Sequence, residues 1–139
     1  MRIYLYFAGK PRDASANRMA EEYILRSSRY CKCEMREIRP ERFDPWEKHA
    51  SATKILLDPA GKSMESRQFA KLVGRAEQEA RDLVFLVGGA DGLPEDWRGR
   101  NGTLVSLTPL TLPHELARVV LAEQIYRAFT ILRGHPYPR

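Results

Sequence analysis

Cysteine is scarce: Cys31 and Cys33 are the only two in 139 residues, too few for a disulfide framework. They stand two apart in an alternating run, so on a strand they share a face, where a bridge would be strained. A Cys-x-Cys metal site needs further ligands, and no neighbouring His or Cys supplies them. The pair reads as core thiols in a reducing, cytoplasmic compartment, and no metal is expected. Long apolar runs are also missing. None approaches the ~18 residues of a membrane span, so no membrane partner is expected. The start, Met1 to Phe7, meets Gly9-Lys10-Pro11 too soon for a secretion signal and reads as a first strand. There is no Gly-x-x-x-x-Gly-Lys-Ser/Thr phosphate loop, and Gly88-Gly89-x-x-Gly92 lacks the spacing of a dinucleotide fingerprint.

What is present is one domain's worth of chain, residues 1–139, without repeats or low-complexity linkers. The formal charge is +5 and the basic residues are mostly arginine, which suits bidentate phosphate contacts and stacking on bases. On charge alone, a nucleic-acid partner and a merely solvated basic surface are equal readings.

Strand and helix patterns alternate. Ile3 to Phe7, Cys31 to Ile38, Thr53 to Leu57, Leu83 to Val87 and Thr103 to Leu107 read as strands. Five apolar residues in a row mark Leu83 to Val87 as central and covered on both faces. A helix is expected over 15–28 with Met19 and Tyr23 inward, and a second after Ser66, with Ser66 as its cap and Phe69, Leu72, Val73 and Ala76 on its apolar side. Asp58-Pro59-Ala60-Gly61 is turn chemistry. Pro113 to Arg133 is one long helix with the stripe Ala117, Leu121, Ile125, Ala128, Phe129 and Leu132. Its further apolar residues Leu116, Val119, Val120 and Tyr126 exceed what one sheet face needs and point to a second partner, such as another subunit. Glu123 and Arg127, four apart, are expected to form a helix-surface ion pair.

The fold class is therefore α/β, a three-layer sandwich with a mostly parallel sheet. Such sheets bind ligands where loops leave the carboxyl ends of the strands, here after Leu57, Val87 and Leu107. Paired glycines after a buried strand let backbone approach a ligand, although a tight structural turn fits as well. Leu107-Thr108-Pro109-Leu110-Thr111-Leu112-Pro113 is too apolar for an exposed loop. It would suit an adenine-sized ring held by backbone groups, or equally a stiff connector.

Four segments occur together in order: Phe85-Leu-Val-Gly-Gly-Ala-Asp-Gly-Leu93, Ser106-Leu-Thr-Pro-Leu-Thr-Leu-Pro-His114, Glu123-Gln-Ile-Tyr-Arg-Ala-Phe129 and Gly134-His-Pro-Tyr137. With Gly9-Lys10 and Leu57-Asp-Pro-Ala-Gly-Lys62 they resemble the SPOUT-class ribosomal RNA large-subunit methyltransferase H family over nearly the whole chain. The resemblance implies a C-terminal trefoil knot, a homodimer, and S-adenosylmethionine as methyl donor. It also implies methylation at ring nitrogen N3 of a pseudouridine in 23S rRNA, with the assembled ribosome as the expected substrate. Carried over by position, Leu57, Gly89, Leu107, Thr108, Pro109, Leu110, Thr111 and Leu112 would line the cofactor pocket.

His114, at the start of the last helix, is a candidate general base, and Arg118, one turn on, would hold an RNA phosphate. Tyr137 and Arg139 are substrate-side candidates, because the family's terminal segment helps build the site across the dimer. That segment typically ends Tyr-His-Arg or Tyr-His-Lys, and here Pro138 replaces the histidine. Lys10, Arg12 and Arg18 could add phosphate contacts. Three readings compete with the enzyme: a relative that kept the fold as an RNA or ribosome binder, a SPOUT methyltransferase with another RNA target, and an unrelated nucleotide-binding α/β enzyme.

Overall fold

In the computed structural model, which describes residues 1–137, strands and helices follow one another along the chain. They are β1 (Arg2–Ala8), α1 (Ala14–Ser27), β2 (Lys32–Ile38), α2 (Pro45–Lys48), β3 (Thr53–Ser63), α3 (Ser66–Gln78), β4 (Leu83–Val87), α4 (Glu95–Arg98), β5 (Thr103–Ser106) and α5 (His114–Arg133). The five strands form one sheet in the order β2-β1-β4-β3-β5. All four pairings are parallel, as the alternation of elements predicts. β4, the uninterrupted apolar run, is buried at every position and lies at the sheet's centre.

One face of the sheet carries α1, α3 and α5 over Ile3, Leu5, Phe7, Ile55, Phe85 and Val105. The other face is thinner. Tyr6, Leu56, Val84 and Leu86 are covered there by Trp97, Trp46 and Phe43, carried on and beside the one-turn helices α2 and α4. Lys54, 4% exposed, donates to the carbonyls of His49, Ala50 and Ala52 and so closes the loop that enters β3. Cys31 and Cys33 are half-buried free thiols.

Two expectations are corrected. The core face of α1 is Ala20, Ile24 and Ser27, while Met19 is 53% exposed; α5 packs against α1, and small residues permit that contact where a methionine would hold the helices apart. The cap of α3 is Glu65, not Ser66: Glu65 and Gln68 form a reciprocal capping box, and the Ser66 hydroxyl instead donates to Gln124 of α5 at 2.7 Å. Of the further apolar residues of α5, which touches α1 and α3 as well as the sheet, Val119 is buried within the chain while Val120 and Tyr126 are half-buried. Leu116 and Ile131 stay exposed.

The first turn of α5 is tied to the start of α1 by one carboxylate. Glu115 accepts from the backbone N–H groups of Arg12 at 2.7 Å and Asp13 at 3.1 Å, while Asp13 caps α1 through the N–H of Ala16. Those two N–H groups hold Glu115 below its ordinary value of 4.5. A depressed carboxylate stabilises the fold above its unfolded pKa, and the contribution is lost as pH falls through the folded value. Glu115→Gln is therefore expected to lower the melting temperature at pH 7 and to flatten the loss of stability below pH 4.5. Parallel melting-temperature curves for the two proteins between pH 3 and 7 would refute this.

Candidate active site

The carboxyl ends of β3, β4 and β5 open onto a solvent-connected cleft with a volume of about 180 Å³. Each wall has a local cause in the sequence. β3 pairs with β5 up to Leu57, then resumes at Lys62, and both residues face Val105. The four residues between are pushed out of register, so Asp58-Pro59-Ala60-Gly61 is a bulge inside β3 rather than the turn that ends it. Gly61 returns the chain against β5 so closely that a β-carbon would lie 2.6 Å from the Leu104 carbonyl carbon and the Val105 nitrogen.

After β4, a β-carbon on Gly88 would sit 2.7 Å from the backbone of Gly92, and one on Gly89 would sit 2.8 Å from the Ala8 carbonyl oxygen. Gly92 itself has φ +75 and closes a bridge to Gly89. These glycines put bare backbone at the cleft, leaving peptide groups to serve as donors and acceptors.

The third wall is the loop from β5 to α5. It holds its shape through its own hydroxyls: Ser106 donates to the Thr108 carbonyl at 3.0 Å, and the Thr108 hydroxyl accepts from the Leu110 N–H at 3.2 Å. Leu107, Thr108, Leu110 and Leu112 all line the cleft, and Leu110, 73% exposed, stands at its mouth. His114 and Ala117 bring the first turn of α5 to the same space.

Of the residues expected from sequence, Leu57, Gly89, Leu107, Thr108, Leu110, Leu112 and His114 are brought together. Pro109 and Thr111 belong to the same loop but are exposed and outside the lining. Arg118 does not project beside His114 as expected. It is 1% exposed, its guanidinium lies 3.6 Å from the centre of the Phe7 ring, and Nη1 donates to Asn17 at 2.8 Å. Among the described residues its Nε and Nη2 have no hydrogen-bond partner, and burial lowers its pKa. So enclosed, it is not presented to an RNA phosphate.

Tyr137 is also away from the cleft. Its hydroxyl donates to Glu123 at 3.0 Å and its ring packs edge-on against Tyr126. Burial raises its pKa. Glu123 also receives Arg127 at 2.6 Å, the ion pair read from the spacing. Arg139 lies outside the described residues.

Sequence reasoning missed Asp58, Gly92 and Ser106 as lining residues. The signal for Asp58 was an acidic residue directly after an apolar strand, which turn chemistry explained too readily. Asp58 is buried, accepts from the Ala60 N–H at 2.8 Å, and pairs with Arg98 of α4 at 2.8 Å. Among the described residues no group of three or more His, Cys, Asp or Glu could hold a metal, and no helix is long and apolar enough to cross a membrane.

Comparison with known proteins agrees with this geometry. The family profile described as "Predicted SPOUT methyltransferase" matches residues 1–138. A ribosomal RNA large subunit methyltransferase H from Solibacter usitatus is 62% identical over 139 residues, all of both chains. Among solved structures, a probable methylase family protein from Haemophilus influenzae superposes with a TM-score of 0.61 at 12% identity, covering 99% of this chain and 70% of that one. An AdoMet-bound rRNA methyltransferase from Sinorhizobium meliloti gives a TM-score of 0.53 at 15% identity, covering 91% of this chain and 56% of that one. These two structural likenesses speak for the fold.

If the cleft depends on bare backbone, Gly89→Ala should cost about 1–3 kcal/mol, the usual penalty of overpacking against an unyielding contact. Gly99→Ala, whose β-carbon would meet nothing nearer than 3.8 Å, should stay within about 0.5 kcal/mol of wild type. Urea unfolding of the two variants reads the difference, and equal midpoints would refute the close-contact account.

Proposed function

The chain belongs to the SPOUT methyltransferase family and, within it, groups with the ribosomal RNA large subunit methyltransferase H proteins; on that premise we propose that it methylates a base of large-subunit ribosomal RNA with S-adenosylmethionine. The finer reading is ring nitrogen N3 of a pseudouridine in 23S rRNA, modified on the assembled ribosome in the cytoplasm. The observation that carries the proposal is a coincidence of two independent placements. Family positions and physical reasoning from strand ends select the same three loops, and the structure gathers those loops around one cleft.

The residues fit the donor. Leucine walls at Leu57, Leu107 and Leu112 suit the faces of a purine, and the backbone left bare by Gly88 and Gly89 suits its polar edges. When bound, S-adenosylmethionine supplies a methyl group already activated on a sulfonium. The protein then needs no covalent nucleophile and no metal of its own; it must hold the acceptor nitrogen in line and take away its proton. Orientation alone contributes about 7–11 kcal/mol in favourable cases. His114 is the base nearest to hand in the cleft, and it takes the proton from the ring nitrogen directly or through one water.

Arg118 acts as a positioning residue, fixing the start of α5 against β1 and α1. Exposed Lys10 and Arg12, which follow the end of β1, and Arg18 on α1 supply phosphate contacts. Homodimerisation is supported by the exposed Met19 and Leu116 on the adjoining helices α1 and α5, with Tyr137 and Arg139 serving the partner's cleft. A C-terminal trefoil knot is part of the same family reading.

A second reading, an RNA or ribosome binder without turnover, is favoured by one feature, Pro138 in place of the family's histidine. Calorimetric titration of S-adenosylmethionine, followed by nucleoside mass spectrometry of large subunits, whole ribosomes and bare 23S rRNA, separates the readings. A new methyl group at pseudouridine, more on ribosomes than on bare RNA, is the expected result. His114→Gln should slow turnover by about 10²–10⁴-fold. Binding without turnover on any substrate would establish the second reading, and an unslowed His114→Gln would move the base elsewhere.

A further inference from the structure

We propose that Asp58 reads the ribose of the nucleoside bound in the cleft, accepting hydrogen bonds from its vicinal hydroxyls, with Arg98 holding the carboxylate in place. The inference rests on the cleft being the S-adenosylmethionine site. Asp58 is the only carboxylate among the described residues that line the cleft, and it is 6% exposed. Its surroundings there are glycine backbone and leucine side chains. In an apolar pocket, a few placed polar groups fix the orientation of a ligand.

The carboxylate is held but not saturated. Oδ1 accepts from the Ala60 N–H at 2.8 Å, and Oδ2 lies 2.8 Å from Nη2 of Arg98. An ionised carboxylate has about four acceptor sites, so capacity for further donors remains on a group enclosed by the cleft. Both anchors come from the architecture. The β3 bulge turns residues 58–61 out of register with β5, and α4, reached through the Gly88–Leu93 loop, delivers Arg98. The ion pair thus ties the exit of β3 to the exit of β4.

Neutral hydroxyls suit this carboxylate better than the ligand's cationic groups do. Arg98 already compensates the charge, and a second cation at the same oxygens would be repelled by the guanidinium a few ångströms away. Hydroxyl donors satisfy the remaining acceptor sites with no such conflict. A ribose contact is also indifferent to whether the sulfur carries its methyl group, so Asp58 would grip donor and demethylated product alike.

The test uses the full chain and three probes: S-adenosylmethionine, S-adenosylhomocysteine and 5′-methylthioadenosine, which keeps the ribose and lacks the amino-acid arm. Asp58→Asn should weaken all three by about 10- to 100-fold, the range of a hydrogen bond to a charged group. Wild type should lose a similar factor towards 2′-deoxy-5′-methylthioadenosine, a loss that Asp58→Asn no longer shows. Arg98→Gln leaves the carboxylate uncompensated and should shift the ratio of affinities towards the cationic donor over the neutral-sulfur product, which a merely structural arginine would not do. Melting curves establish that each variant is folded, and Asp58→Glu stands in should Asp58→Asn fail to fold.

Unchanged 5′-methylthioadenosine binding in the folded Asp58 variant would overturn the proposal. Weakening confined to ligands that carry the amino-acid arm would do the same and assign Asp58 to the ammonium group. A folded wild type that binds none of the three probes would instead overturn the cofactor reading, and this proposal with it.

Discussion

Backbone lies against backbone at three places on the carboxyl edge of the sheet, and the candidate site depends on those contacts. Gly61 meets β5, Gly89 meets the last carbonyl of β1, and Gly88 meets Gly92, each too close for a β-carbon. Interiors are packed near crystalline density, so a methyl group at such a point cannot be absorbed by a small shift. The same contacts explain why the walls carry so few side-chain polar groups: the space is bounded by main chain, and main chain supplies its hydrogen-bonding surface. What side chains add is apolar width from the leucines, the hydroxyls of Ser106 and Thr108, one imidazole and one carboxylate.

The fourth side of the cleft is set by α5, and α5 is set by charge buried against an aromatic ring. Arg118 lies flat on Phe7 of β1 and bonds Asn17 of α1, one residue after Ala117 has reached the cleft. Glu115, three residues earlier, takes the N–H groups that start α1. A buried cation with unpaired donors is costly, and the ring, Asn17 and the Glu115 carboxylate 4.0 Å from Nη1 offset only part of that cost. The arrangement is better understood as fixing register than as adding stability. It holds α5 in the rotation that turns His114 and Ala117 towards the loop after β5.

Much of this was legible in the sequence because periodicity carries it. The five apolar residues of β4 could only be a central strand, and the α5 stripe from Leu121 to Phe129 could only be a buried face. The cleft itself was located from strand ends and glycines. Three features were hidden for identifiable reasons. The β3 bulge uses residues that ordinarily make a turn, and only the pairing partner reveals that the strand resumes. The inward face of α1 follows from how closely α5 approaches, a tertiary fact that made Ala20 interior and Met19 exterior. The inward turn of Arg118 depends on Phe7, more than a hundred residues away in the chain, which no local pattern reports.

The position of the tail constrains how the site could be completed. Tyr137 is anchored at Glu123, nine residues along α5 from His114 and so about 13 Å up the helix axis; it also packs on Tyr126, farther still. Within one chain these contacts hold Tyr137 at the opposite half of α5 from the cleft, and reaching the cleft would require breaking the hydrogen bond to Glu123 and the ring contact together.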